Sequence, residues 1–299
     1  MVKMPIQSPK IFVIAGLPRS GTTFLYYTLI QHPNIFVPIL KEAHYFSYRN
    51  DYDFKWFLNL FANQSLNQIG MDTSPAYIFD HDAAKRIYEY DPTTKVIISL
   101  RRPSDMVCSL YRQQRHLFYH MAPFEQFIEH TKIGRSDNKL SVNFTENIIS
   151  KGVQNFMDVM GENLLLINFT KARNDTLGMI QIIEQFLGLT PFFNQTTFQN
   201  QIINASDRVN SKFIGNLLTQ EIILKSVVKY KWLQSMAWWT KVLIFRKMNK
   251  PKSNVAYHPP ENELRLAREK LKQEDAWVND LFMDNNYILG TGKPVKKLD

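Results

Sequence analysis

The stretch Lys10–Tyr27, KIFVIAGLPRSGTTFLYY, limits the fold more than any other part of the chain. Ile11 to Ala15 form an unbroken apolar run, the pattern of a parallel strand buried on both faces. Gly16-Leu17-Pro18-Arg19-Ser20-Gly21 follows, a tight turn with a glycine at each end. Thr22, Thr23, Phe24, Leu25, Leu29 and Ile30 then open a helical pattern. Strand, glycine-bounded turn and helix N-terminus together make an anion cradle. The first-turn N–H groups have no helical partner, and the dipole is positive there. The glycines let the backbone approach the anion closely.

The G-x-x-x-x-G spacing is that of a P-loop, but a nucleoside-triphosphatase loop continues with Lys and then Ser or Thr, the hydroxyl holding Mg²⁺. Here Gly21 is followed by Thr22-Thr23, and the cation, Arg19, lies inside the loop. The loop is therefore expected to hold a phosphate whose distal group meets an arginine. A second buried strand, Lys95–Leu100, runs into Arg101-Arg102-Pro103, where a triphosphatase would place an acidic metal ligand. Two arginines there favour direct contact with an anion over a Mg²⁺-dependent kinase, and no metal is expected.

The remaining pattern predicts an extended Ile35–Val37, a helix over Asp53–Phe61, a strand over Gln68–Asp72 and a helix over Ala83–Tyr90. It continues with helices over Pro103–Leu117 and Glu146–Met160, a strand over Leu164–Asn168, and a helix over Thr176–Leu187 closed by Gly188. Such alternation implies an α/β fold with a P-loop-like central parallel β-sheet flanked by helices. Ligands then bind beyond the carboxyl ends of the strands, where Arg19, Thr73 and Arg101 should emerge. After Pro191 strands become scarce. Phe192–Arg208 reads as a loop. Glu221–Met248, with Trp232, Trp238 and Trp239, reads as a helix on the core or at the site mouth, with a membrane-surface helix as the alternative. Glu261–Phe282 reads as one amphipathic helix, and the basic tail from Gly290 as frayed. The expectation is one domain over 1–299, with an α/β nucleotide-binding core at 10–190 and a mainly helical C-terminal part at 191–299.

The net charge of +9 suits an anionic ligand, nucleic acid or an anionic surface, without choosing among them. The single cysteine, Cys108, rules out an intramolecular disulfide. Met1–Lys10 is short and polar, unlike a signal peptide, and no run of 18 apolar residues is present. These features read as a cytoplasmic chain. Six N-x-[S/T] sequons (Asn63, Asn143, Asn168, Asn174, Asn194, Asn204) point the other way and are attributed to the abundance of asparagine.

Taken together, these residues resemble the sulfotransferases that use PAPS (3′-phosphoadenosine 5′-phosphosulfate). Leu17–Thr23 is similar to their 5′-phosphosulfate loop, and Arg101–Tyr111 to their 3′-phosphate motif, with Arg101 and Ser109 at the matching positions. Lys41-Glu42-Ala43-His44-Tyr45-Phe46 and Ser74-Pro75-Ala76-Tyr77 resemble the K-E-x-H-F-F and S-P-A-Y motifs of the carbohydrate, heparan-sulfate-type branch. Ser150-Lys151-Gly152 and Glu184–Gly188 continue the likeness to about residue 190. Asn204-Ala205-Ser206 with Arg208 is similar, more loosely, to a later nucleotide-binding loop. Three departures stand out. The cradle lysine of many members is Arg19 here, as in tyrosylprotein and many bacterial enzymes. The heparan-type lysine before S-P-A-Y is Thr73, preceded by Asp72. The membrane anchor and disulfides of the Golgi enzymes are also not seen.

The resemblance implies a metal-free sulfuryl transfer from PAPS to a hydroxyl or amine on a small molecule or saccharide. Arg19, Ser20, Gly21, Thr22 and Thr23 would hold the 5′-phosphate. Arg101 and Ser109 would hold the 3′-phosphate, helped by Ser206 and Arg208. Glu42 is the expected general base, its carboxyl raised toward the working range by aromatic surroundings. His44 is the rival base, and Lys41 a helper at the sulfuryl oxygens. The residues alone leave two other readings open, a P-loop small-molecule kinase and a non-catalytic nucleotide- or polyanion-binding protein. Nucleic acid is not expected as a partner.

Overall fold

The computed structural model describes residues 8–117, 122–133, 140–198, 259–283 and 285–295. Its centre is a six-stranded sheet in the order β2-β3-β1-β4-β7-β8. The strands are β1 (Ile11–Gly16), β2 (Ile35–Phe36), β3 (Ile69–Thr73), β4 (Lys95–Leu100), β7 (Leu164–Asn168) and β8 (Tyr287–Leu289). All pairings are parallel except that of β7 with β8. A short antiparallel hairpin, β5 (Thr131–Ile133) with β6 (Leu140–Val142), stands apart.

The central strands are apolar throughout because each alternates between two buried faces. Val13, Ala15, Val96, Ile98, Leu164 and Leu166 point to one layer. That layer contains α3 (Ala83–Tyr90), α4 (Pro103–Leu117), α6 (Ile148–Met160) and the helices near the C-terminus. Phe12, Ile14, Ile97, Leu165 and Ile167 point to the other, with α1 (Thr22–Leu29) and α8 (Thr176–Leu187). The remaining helices among the described residues are α2 (Phe54–Leu60), α5 (Phe124–Glu129), α7 (Phe169–Ala172), α9 (Glu261–Lys270) and α10 (Lys272–Phe282), with short 3-10 turns at Pro75–Phe79, Phe144–Glu146 and Gly161–Asn163. Among the described residues, no helix is long and apolar enough to cross a membrane.

Four expectations change. First, the 261–282 segment is two helices that meet at the buried Leu271. The break turns α10 so that adjacent carboxylates reach two different helix starts. Glu274 accepts from the Ile149 and Ser150 N–H groups of α6, at 2.9 Å each. Asp275 accepts from the Ser104 N–H and hydroxyl of α4, at 2.9 and 2.7 Å. Second, α6 starts at Ile148 and not at Glu146, because Asn147 is left-handed (φ 56°) and the cap comes from Glu274, 125 residues away. Third, the tail is ordered to Val295: Gly290 N–H donates to Leu164 O, and Val295 N–H to Tyr287 O. Fourth, β8 adds an antiparallel strand that the sequence reading lacked. Ser206, Arg208 and the Trp-rich 221–248 stretch lie outside the described residues.

Removing the Glu274 carboxylate leaves the buried Ile149 amide and the half-buried Ser150 amide unpaired. Glu274→Ala is expected to cost about 2–4 kcal/mol of stability, read from the denaturant midpoint. Burial also holds the Glu274 and Asp275 carboxyls above their ordinary range, although the amides they accept from pull the other way. The folded chain thus keeps these protons to a higher pH than the unfolded chain. The resulting stability is complete below the unfolded pKa values and shrinks as pH rises through the folded ones. In Glu274→Gln the share due to Glu274 should vanish from the pH profile of the melting temperature.

Candidate active site

The carboxyl ends of β1, β3, β4 and β7 converge on one edge of the sheet. Sheet order reverses around β1, which has β3 on one side and β4 on the other, so a crevice forms between diverging connections. The β1–α1 turn is tied to β4 twice: Leu17 N–H donates to Ser99 O at 2.7 Å, and Ser99 Oγ donates to Ser20 O at 2.6 Å. Gly21 caps α1 in the left-handed region (φ 81°), and a Cβ there would run into the Phe169 ring. Only glycine satisfies both conditions. Ser20 is fully buried, and its Oγ has no hydrogen-bond partner among the described residues.

Arg19 is also left-handed (φ 62°), and its Nε donates to Ser109 Oγ of α4 at 3.0 Å. The resemblance assigns these two side chains to different phosphates; here they touch. The bond uses only Nε, so the terminal nitrogens of the Arg19 fork remain as donors while Arg19 and Ser109 stay joined. Burial, and then the charges of Arg101 and Arg112, hold the Arg19 pKa below its usual value. Arg101 is lowered by burial and by Arg173, and raised by Asp105. Arg19 thus feels the charges of Arg101 and Arg112, and Arg101 that of Arg173, repulsions that a bound anion would relieve. Arg112 and Arg173 escaped the sequence reading. Arg112 was detectable, since it follows Ser109 by three residues on a helix and so shares its face. Arg173 and Phe169 were detectable only as residues just beyond the carboxyl end of β7. Cys108, beside Ser109, is no nucleophile, because burial pushes its thiol up to about 12.

The Lys41–Phe46 segment sits against this loop. Lys41 Nζ donates to Thr23 Oγ1 at 3.0 Å and lies 3.8 Å from Glu42 Oε1. His44 Nε2 lies 3.6 Å from Glu42 Oε2. The Glu42 side chain is 31% exposed and that of His44 only 6%, so the carboxylate is the group open to an incoming molecule. Glu42 and His44 are both left-handed, at φ 69° and 53°. With Arg19 they make three of the five non-glycine residues of positive φ among the described residues, a concentration of backbone strain at one place.

The segment is gripped from both sides. Arg49, itself buried, donates to the carbonyls of Glu42 and Ala43 at 3.3 and 3.1 Å. On the other side His44 N–H donates to Ser74 Oγ at 3.0 Å, and Phe46 N–H to Tyr77 OH at 3.2 Å. The sequence reading of S-P-A-Y rested on likeness alone, whereas the structure gives its Ser and Tyr a task. Thr73, in the heparan-type lysine position, is buried at the end of β3 with its hydroxyl unpaired among the described residues. Behind it α6 packs closely on the Pro75–Phe79 turn: a Cβ at Gly152 would collide with the Ile78 carbonyl.

Residues 9–213 match the sulfotransferase domain family. Human heparan sulfate glucosamine 3-O-sulfotransferase 5 is 25% identical over 197 residues, covering 63% of this chain and 56% of its own length. Mouse bifunctional heparan sulfate N-deacetylase/N-sulfotransferase 4 is 25% identical over 197 residues, covering 61% of this chain and 23% of its own length. The chain thus spans about half, or less, of the curated relatives it matches. A sulfotransferase from Alicyclobacillus acidocaldarius shares the fold, with a TM-score of 0.51 at 22% identity over 64% of this chain and 87% of that one. Matched over more than half of its residues, with the P-R-S-G-T-T loop and the K-E-x-H-Y-F segment packed together at one sheet edge, the chain belongs to the sulfotransferase domain family.

Proposed function

We propose that this chain moves a sulfuryl group from PAPS to a hydroxyl or amine of a small molecule or saccharide. The observation that carries this reading is the Lys41 bridge, which bonds the phosphate-type loop through Thr23 and stands beside the Glu42 carboxylate. The residues fit the nucleotide. A buried unpaired Ser20 hydroxyl, a Gly21 corner closed to any Cβ and four arginines linked by charge repulsion are what a doubly anionic ligand needs. PAPS, when bound, supplies the activated sulfuryl group.

The protein's part is positioning and charge stabilisation. Arg19 and the α1 N-terminus offer donors to the 5′-phosphate, and Arg19 faces the charge that grows on the oxygen released there. Its guanidinium stays protonated and presents forked donors, so this needs no proton inventory. Arg101, with Arg112 and Arg173 nearby, meets the 3′-phosphate and selects against nucleotides that lack it. Glu42 accepts the proton that the acceptor hydroxyl or amine gives up, and His44 holds the carboxylate in place.

The test is incubation of the whole chain with radiolabelled PAPS and a panel of sugars, phenols, alcohols and amines. Label should appear on at least one acceptor without added metal. Failure to bind PAP, together with phosphoryl transfer from Mg²⁺-ATP, would instead establish the kinase reading.

A further inference from the structure

Asp72 stands at the end of β3, wholly buried, and none of the roles above uses it. Its two oxygens are both engaged: Ser74 Oγ donates to Oδ1 and Tyr77 OH to Oδ2, each at 2.7 Å. Those hydroxyls have one proton each, and Asp72 takes both. They are left as acceptors, and the donors they accept from are His44 N–H and Phe46 N–H. Burial raises the Asp72 carboxyl above its ordinary range while the Tyr77 and Ser74 hydroxyls pull it back down; as the ionised double acceptor these two bonds call for, it fixes the direction of two hydrogen-bond relays that end on the backbone of the strained segment. Burial keeps the Tyr77 phenol protonated, as its role of donor requires.

We propose that Asp72, acting through Ser74 and Tyr77, is the positioning residue that holds Glu42 and His44 in their left-handed conformations facing each other. Left-handed backbone at non-glycine residues costs about 1–2 kcal/mol apiece and persists only where neighbours over-determine it. The relays supply that determination on the amide side, as Arg49 does on the carbonyl side. An acid is suited to the task. An asparagine at 72 would present one acceptor and one donor, so one hydroxyl would lose the acceptor for its own proton and with it the constraint that aims its lone pair at the amide.

The consequence for catalysis rests on the sulfotransferase reading; the consequence for the backbone does not. The test uses the full chain with Asp72→Asn, Ser74→Ala and Tyr77→Phe. Amide hydrogen exchange is followed by NMR, PAP affinity by calorimetry, and kcat and KM with the acceptor found above. Exchange should quicken about tenfold at His44 alone in Ser74→Ala, at Phe46 alone in Tyr77→Phe, and at one or both in Asp72→Asn. In Asp72→Asn kcat should fall about 10- to 100-fold with PAP affinity unchanged. Unchanged exchange in variants that still unfold cooperatively would overturn the proposal. So would a parallel loss of PAP affinity and kcat, which would make Asp72 a support of the whole site. If Asp72→Asn does not fold, Ser74→Ala and Tyr77→Phe decide, since each leaves the other relay intact. If the exchange pattern appears but the wild type transfers to no acceptor, the positioning role stands and the sulfotransferase reading falls.

Discussion

Glu42→Gln is expected to lower kcat by about 100- to 10,000-fold while PAP affinity stays within about a factor of two. Glutamine keeps the size of the side chain and one acceptor oxygen, so the packing between Lys41 and His44 is kept although one of the two charged contacts is lost. What is lost is the capacity to take a proton from the acceptor. Nucleotide affinity should survive because the arginine cluster and the Gly21 corner lie on other elements. Single-turnover measurement with PAPS separates the two effects. A near-normal rate in Glu42→Gln together with loss of activity in His44→Ala would transfer the base role to the histidine, despite its smaller exposure.

Arg19→Gly should change affinity and stability in opposite directions. Removing the guanidinium takes away the forked donor to the 5′-phosphate, and PAP should bind about 100-fold more weakly or worse. The apo protein, by contrast, should gain. A glycine accepts φ 62° without strain, and Arg101 and Arg112 lose a like-charged neighbour. Loss of the bond to Ser109 and the added unfolded-chain entropy of a glycine offset part of this, leaving a net gain of about 0.5 kcal/mol and a rise of about 1 °C in the melting temperature. Arg19→Lys retains the charge without the fork and should fall between wild type and glycine in affinity. A glycine variant that melts lower and still binds PAP would show that Arg19 serves the fold and not the nucleotide.

The core of the fold was legible because its signals are local. Unbroken apolar runs gave β1, β4 and β7, and helices α3, α4 and α8 kept their predicted bounds, since their breakers, Asp91-Pro92 and Gly188 among them, sit beside them in sequence. Arg19, Lys41, Glu42 and His44 were likewise singled out as candidates from short motifs, and the Lys41–Thr23 bond sets the second motif against the first. What stayed hidden depends on partners far along the chain. The start of α6 is set by Glu274, the division of the C-terminal helix by what its carboxylates reach, and β8 by a free edge of β7 that no local pattern reveals. The strain at Arg19, Glu42 and His44 was invisible for a related reason: arginine and glutamate do not favour positive φ, histidine enters it in only a small minority of cases, and the surrounding contacts impose it here.

The paired caps on α10 also set an order of events at biosynthesis. Glu274 and Asp275 close contacts spanning 125 and 171 residues, so the starts of α6 and of the Ser109-bearing α4 stay open until residues 274 and 275 have left the ribosome. Non-local closures of this length are slow. The strands β1, β3, β4 and β7 can therefore pair before the α4 and α6 starts are capped, and β8, which follows α10, joins the sheet only afterwards.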